Sequence, residues 1–282
     1  MTAPTRSPRG FYPSRARGQS FLRDEEVLRR IVSAIDPSPD ECFLEVGAGG
    51  GELTLPLAAA GGGRILAVET DDALFERLER VLQESGISQV HPLHADFLTV
   101  DLPSLLKERG LGQVRAVGNL PFSVASPILL RLLSFRKHLV DLTLTFQLEV
   151  AERLVAPPGT KRYGFLSVIA QQAASVDLLF SIPPAAFTPR PKVHAALVRM
   201  KPRRDQEPAV AGEEVFRALV RGLLAHRRKN ISNNLRRLSS PLLDSSAIQG
   251  GLRKLGIDPS RRAETLSVEE FAQLSHFCAF PG

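Results

Sequence analysis

Cys42-Phe43-Leu44-Glu45-Val46 runs straight into Gly47-Ala48-Gly49-Gly50-Gly51, and an apolar stretch through Leu53, Leu55, Leu57 and Ala58 follows. Few folds accept that order. A short apolar strand, a glycine loop and a helix together belong to an α/β sheet, where glycine lets backbone approach a ligand and the helix start presents N–H groups. A dinucleotide fingerprint needs G-x-G-x-x-G/A, and counted from Gly47 its last small residue would stand at Glu52. The spacing here is G-x-G-x-G behind Glu45-Val46. That leans away from a pyrophosphate and towards a ligand with an amino-acid end.

Three further strand ends repeat the arrangement. Arg64-Ile65-Leu66-Ala67-Val68-Glu69 reads as a strand ending on an acid, about twenty residues past the loop, where a carboxylate can take both hydroxyls of a ribose. Helix capping is the other use for such an acid, but Asp71 and Asp72 are better placed for it. Val90-His91-Pro92-Leu93-His94 reads as the next strand, and Asp96 behind it can accept from an adenine amino group. Val114 to Val117 reads as the fourth, leading into Gly118-Asn119-Leu120-Pro121-Phe122 and a helix over Ser126 to Leu133 with Pro127 in its first turn. That turn offers an amide, a carbonyl on a stiff Leu-Pro unit and an aromatic face, which together suit a planar amine. Alone it reads as a structural turn, with Asn119 capping and Phe122 in the core. In series, the glycine loop, Glu69, Asp96 and Asn119 describe one crevice along one sheet edge.

Charge placement adds a second theme. The net charge is +6, yet residues 1–20 hold Arg6, Arg9, Arg15 and Arg17 without an acid. Residues 221–237 hold Arg221, Arg227, Arg228, Lys229, Arg236 and Arg237, again without one. Two such segments suggest a polyanion partner, against the plainer reading of a solvated tail and a solvated helix face. No apolar run approaches the ~20 residues of a membrane span. Cys42 and Cys278 are too few for a disulfide framework, and no partner cluster of Asp, Glu or Cys beside His91 and His94 suggests a metal. A cytoplasmic protein without a membrane partner is expected.

The expected organisation is a disordered basic arm at 1–17, a Rossmann-like α/β domain at 18–202, a linker at 203–212 and a helical domain at 213–282. Asp24 is placed to cap a helix through Val27, Leu28, Ile31, Val32 and Ile35. Val140 to Phe146, Val176 to Ile182 and Val193 to Met200 read as later strands. Lys161 to Ser167 starts a helix, and Pro183 to Lys192 reads as a proline-stiffened wall of the site. Helices are expected at 215–224, 231–238, 248–255 and 268–277, the last with a capping box at Ser267 and Glu270. The chain shows no internal repeats.

With these residues in view, the chain resembles the KsgA family of small-subunit ribosomal RNA adenine dimethyltransferases. Five stretches carry the resemblance: Gly18-Gln19-Ser20-Phe21-Leu22, Glu45 to Gly49, Asn119 to Phe122, Phe187-Thr188-Pro189-Arg190-Pro191-Lys192-Val193, and Ala225-His226-Arg227-Arg228-Lys229-Asn230. Gly256 to Pro259 and Leu266 to Phe271 look like the family as well. The glycine-loop motif is general to S-adenosylmethionine enzymes, and Asn-Leu-Pro-aromatic is shared by amine-methylating enzymes. The Phe187 stretch and the helical end narrow the match. The resemblance implies S-adenosyl-L-methionine as donor, held by Gln19, Ser20, Leu22, Gly47, Gly49, Glu69, Asp96 and Asn119. It implies a catalytic turn of Asn119, Leu120, Pro121 and Phe122. Phe187, Lys192, Arg221, Arg227, Arg228, Lys229, Arg236 and Arg237 would meet RNA. The implied substrate is two adjacent adenosines in a hairpin loop near the 3′ end of 16S rRNA, on an immature small subunit, and the enzyme is expected to be a monomer. Ser20 stands where the family often has Asn, and Phe122 where it often has Tyr. The alternatives are an Erm-type methyltransferase of 23S rRNA, a non-catalytic ribosome-assembly factor, and, further off, an NAD-dependent dehydrogenase.

Overall fold

The computed structural model describes residues 20–203, 208–237 and 244–277. The arm at 1–17, Gln19, Leu238, Cys278 and part of the 203–212 linker lie outside the described residues. In chain order the elements are β1 (Phe21–Leu22), α1 (Glu25–Ile35), β2 (Cys42–Val46), α2 (Thr54–Ala59), β3 (Arg64–Glu69), α3 (Asp72–Ser85), β4 (Val90–His94), α4 (Leu102–Glu108), β5 (Val114–Gly118) and α5 (Ala125–Ser134). There follow β6 (Leu139–Gln147), α6 (Leu148–Leu154), α7 (Phe165–Ala173), β7 (Ala174–Ile182), β8 (Phe187–Thr188), β9 (Ala195–Pro202), α8 (Glu213–Leu224), α9 (Ile231–Leu235), α10 (Ser245–Lys254) and α11 (Val268–Ser275).

Packing divides the chain into two units, one of residues 1–128 with 182–195, the other of 129–181 with 196–282. The first is a Rossmann-like α/β unit. Its parallel strands run in the order β4-β3-β2-β5. β2, β3 and β5 are buried almost throughout, as parallel strands covered on both faces must be, whereas β4 at the edge is largely part-exposed. The register pairs Val46 with Val68 and Glu69 with His94, so the strands end together and their following loops share one edge.

Local chemistry sets the helix limits. Asp24 accepts from Val27 N at 3.1 Å at the start of α1, whose buried face is Val27, Leu28, Ile31, Val32 and Ile35. Asp71 accepts from Leu74 N at 3.2 Å to start α3, so Asp71 takes the cap and Glu69 is spared for other bonds. The wall expected at 183–192 does more than line: Phe187 and Thr188 form β8, which pairs antiparallel with β1. Arg23 N and Asp24 N also donate to Ala186 O, at 2.8 and 3.3 Å.

The second unit carries strands in the order β6-β9-β7 and helices around one apolar core. Val168 and Ile169 of α7 share that core with Phe216 and Leu219 of α8, Ile248 of α10 and Phe271 of α11. Among the described residues from 213 onward there are helices and no named strand. α7 starts at Phe165 rather than near Lys161, because Tyr163 turns inward to full burial and Gly164 takes the cap position. α9 stops at Leu235, and α4 was not expected from the sequence. The capping box is present, with Glu270 N donating to Ser267 Oγ at 3.1 Å and Ser267 N to Glu270 Oε2 at 2.8 Å. Ser267→Ala should cost about 1 kcal/mol of stability, read as a lower urea midpoint with an unchanged slope.

Candidate active site

The loop after β2 can be audited amide by amide. Gly47 N and Ala48 N both donate to Val68 O, at 2.9 and 3.1 Å. Gly49 N donates to Glu69 Oε2 at 2.7 Å, Gly50 N to Glu52 Oε2 at 2.9 Å, and Gly51 N to Ala48 O at 3.0 Å. All five N–H groups are therefore used within the chain. A loop that cradles phosphate turns its amides outward to the anion. This one spends three on backbone carbonyls and two on its own carboxylates. Gly49 has φ 60°, a conformation that favours glycine, and a Cβ there would stand 2.9 Å from Glu52 Oε2, so a larger residue would also displace that carboxylate.

Glu69 is nearly buried, and its other oxygen accepts from Thr70 N and Asp71 N, each at 2.9 Å. Asp96 is exposed and accepts from Leu98 N at 2.9 Å. Asn119 Nδ2 donates to Ser20 O at 3.1 Å. Ser20, Leu22, Gly47, Gly49, Glu69, Asp96, Asn119 and Pro121 line one cavity of about 280 Å³, together with Phe21, Glu45, Glu52 and the apolar Phe97, Leu98 and Ile128. The residues fit the donor implied by the resemblance. Two carboxylates suit a nucleoside's hydroxyls and amine, and the glycine loop leaves space for an amino-acid end while offering no amide to a phosphate.

Leu120 and Phe122 do not line that cavity. The Leu120 side chain is buried, and the half-buried Phe122 ring meets Phe187 edge-on at 6.4 Å between centroids. Phe187 itself is only 3% exposed, so it backs Phe122 rather than offering an open face. Lys192 is exposed. Of the second unit's bases, Arg228, Lys229, Arg236 and Arg237 are exposed. Arg221 is exposed too but lies over the Phe165 ring at 5.2 Å, and Arg227 pairs with Glu264 at 3.0 Å. Counting charge along 221–237 could not find Glu264, which comes from beyond that stretch.

Sequence reasoning also missed Glu52 as a loop ligand and Arg77, whose guanidinium stem fills the space a Cβ on Gly50 would need, at 2.7 Å. The fingerprint comparison singled out Glu52 only as a misfit, and Arg77 had no signal beyond its place in α3. Among the described residues, no group of His, Cys, Asp and Glu could hold a metal, and no helix is long and apolar enough to cross a membrane.

Residues 14–279 match the family described as ribosomal RNA adenine dimethylase. The chain is 39% identical over 266 residues to the ribosomal RNA small subunit methyltransferase A of Geobacter metallireducens, covering 94% of this chain and 95% of that protein. It is 38% identical over 262 residues to the protein of the same name from Xylella fastidiosa, covering 93% and 94%. A dimethyladenosine transferase from Plasmodium falciparum shares the fold, with a TM-score of 0.75 at 19% identity and coverage of 90% and 95%. The 23S rRNA methyltransferase ErmE matches with a TM-score of 0.65 at 25% identity, covering 92% and 99%.

One group on the cavity wall is out of its ordinary state. Glu45 is 1% exposed, and burial pushes its carboxyl up to about 8; the Thr54 hydroxyl lowers it, and Glu52 and Glu69 raise it further. In the unfolded chain the same group ionises near 4.5. The native state thus holds a proton that the unfolded state has released between those values, so stability falls as pH rises through that window, by up to about 1.4 kcal/mol per pH unit. Glu45→Gln carries no such proton. Its thermal midpoint relative to the native protein should climb from pH 5 to pH 8 and level off above, and a difference independent of pH would refute the buried neutral acid.

Proposed function

The chain belongs to the ribosomal RNA adenine dimethylase family, and from that membership we propose that the crevice at Gly47, Glu69, Asp96 and Asn119 dimethylates adenine N6 in small-subunit RNA. The protein is an S-adenosylmethionine-dependent ribosomal RNA adenine dimethyltransferase. In this reading it takes two adjacent adenosines in the 3′-terminal hairpin loop of 16S rRNA, on an immature small subunit, and works as a cytoplasmic monomer with a role in subunit assembly. The choice of subunit is supported by relatives that are named for the small subunit and align over more than nine-tenths of both chains. In this reading the unit of residues 1–128 with 182–195 carries the catalytic crevice and the helices from residue 213 onward face RNA; packing groups residues 129–181 and 196–202 with those helices, so the two units do not part at the expected 203–212 linker.

The donor, when bound, supplies an electrophilic methyl on its sulfonium. Glu69 takes the ribose hydroxyls, Asp96 the adenine amine, and the loop around Gly47 and Gly49 the amino-acid end. Ser20 and Leu22 cover it. The chain's remaining task is to make a poor nucleophile better. The N6 lone pair of adenine is delocalised into the ring, and acceptors for its two hydrogens favour a more tetrahedral nitrogen whose lone pair points at the methyl. Asn119 Oδ1 and the Leu120 carbonyl are those acceptors. The observation that supports this reading is the bond from Asn119 Nδ2 to Ser20 O at 3.1 Å, which uses the donor end of the amide within the chain. Pro121 stiffens the turn, Phe122 stacks on the extruded base, and Phe187 braces Phe122 from behind. Nitrogen takes the methyl first and releases its proton afterwards, so positioning supplies most of the rate and no strong base is needed. For the second transfer, one acceptor must tolerate the methyl already added.

Lys192, Arg221, Arg227, Arg228, Lys229, Arg236 and Arg237 hold RNA phosphates, which positions the enzyme without choosing sequence. Replacing Arg236 and Arg237 by Gln should lower the slope of log affinity against log salt by about 1.5. Asn119→Ala should cut transfer by about a hundredfold or more while cofactor affinity falls far less. The assay is tritiated methyl transfer to small subunits that lack the dimethyladenosines, with large subunits and free 16S rRNA in parallel. Label on large subunits would move the enzyme to the Erm-type reading, and near-normal transfer by Asn119→Ala would remove the catalytic turn.

A further inference from the structure

Glu52 occupies a position for which the dinucleotide fingerprint has no use, and its surroundings give it another task. Its Oε2 holds Gly50 N at 2.9 Å, inside the cofactor loop. Its Oε1 lies 3.1 Å from an Arg23 guanidinium nitrogen and 3.4 Å from one of Arg77. Oε1 makes no hydrogen bond of good geometry and is shielded from solvent, so these two contacts act as charge pairs rather than as directed bonds. The Glu52 side chain is 11% exposed against 45% for Arg23. The carboxylate is thus the buried member, and the arginine reaches in to it.

Arg23 is the residue directly behind β1. Ser20, Phe21 and Leu22, just before it, line the cavity, and Ser20 O receives the Asn119 amide. β1 is only two residues long, and its ladder with β8 spans two residue pairs. So short a ladder has little cooperativity of its own. The Arg23–Glu52 pair is a side-chain tie between this covering segment and the glycine loop, and Arg77 holds the same carboxylate from α3.

We propose that Glu52 is a positioning residue: through Arg23 it ties the segment Ser20–Leu22 to the glycine loop and so sets how tightly the cavity holds S-adenosylmethionine. The inference rests on the reading of that cavity as the donor site. It predicts a coupling. Removing the charge from either end releases the same segment, so the second removal adds nothing to the first.

The test uses the full chain with Glu52→Gln, Arg23→Gln, the double variant and Arg23→Lys. Glu52→Gln keeps an acceptor for Gly50 N and deletes only the charge. Arg23→Gln alters a half-exposed side chain and guards against a folding failure at Glu52. Calorimetric titration with S-adenosylhomocysteine should show each single variant weaker by about fivefold, as suits a partly buried ion pair. The double variant should be no weaker than either single one, and Arg23→Lys should stay near the native value. In the ligand-free protein, exchange of the Arg23 and Asp24 amides should quicken in Glu52→Gln while the thermal midpoint holds. Unchanged affinities, or losses that sum in the double variant, would overturn the tie while leaving the donor site standing. A native protein that binds no S-adenosylhomocysteine would remove the donor site and the tie together.

Discussion

A single carboxylate ties the site to the sheet. Glu69 ends β3, and it accepts N–H bonds from Gly49 across the crevice and from Thr70 and Asp71 in its own turn. Hydrogen bonds to a charged group are stronger than neutral ones, and three of them at a nearly buried position leave the side chain little freedom. The glycine loop is held open by this bond and by its remaining amides, all used internally. Its shape therefore exists before any ligand arrives, and binding need not order it. The same bonds decide the ligand class. Amides already bonded to carbonyls and carboxylates of the chain have nothing to offer a phosphate, which is why a strand–glycine–helix unit like that of nucleotide-binding sheets serves a different ligand here.

The parts of this arrangement that could be read from sequence are those set locally. Buried parallel strands are continuous apolar runs, so β2, β3 and β5 declare themselves, and the polar residue just past each run falls on the sheet edge. Asp24, Asp71 and the Ser267–Glu270 pair act on neighbours three residues away and are legible for the same reason. What could not be read depends on distant partners. β1 and β8 are two residues each, too short to show alternation, and one is useless as a signal without the other. The start of α7 depends on Tyr163 being drawn into a core to which α8, α9, α10 and α11 all contribute.

Charge was legible as an amount but not as a placement. The stretch 221–237 has no acid of its own, yet Arg227 is paired with Glu264, and Arg261 nearby in sequence to that acid is paired with Glu270 at 2.7 Å. Glu52 was visible as an exception to a glycine pattern, while the arginines that give it meaning sit at 23 and 77. In each case the informative fact is which charges are already matched, and those left unmatched are fewer than the formal total suggests.

The first unit is discontinuous: it closes only when residues 182–195 join residues 1–128. A chain emerging from the ribosome makes its ends in order, so the glycine loop, Glu69, Asp96 and Asn119 are all synthesised well before β8. Until Phe187 and Thr188 have left the exit tunnel, β1 has no strand to pair with, and the covering over the crevice has no edge to rest on. The partner strand of β1 is thus made only after about two-thirds of the chain, β6 and β7 of the other unit included, has been synthesised.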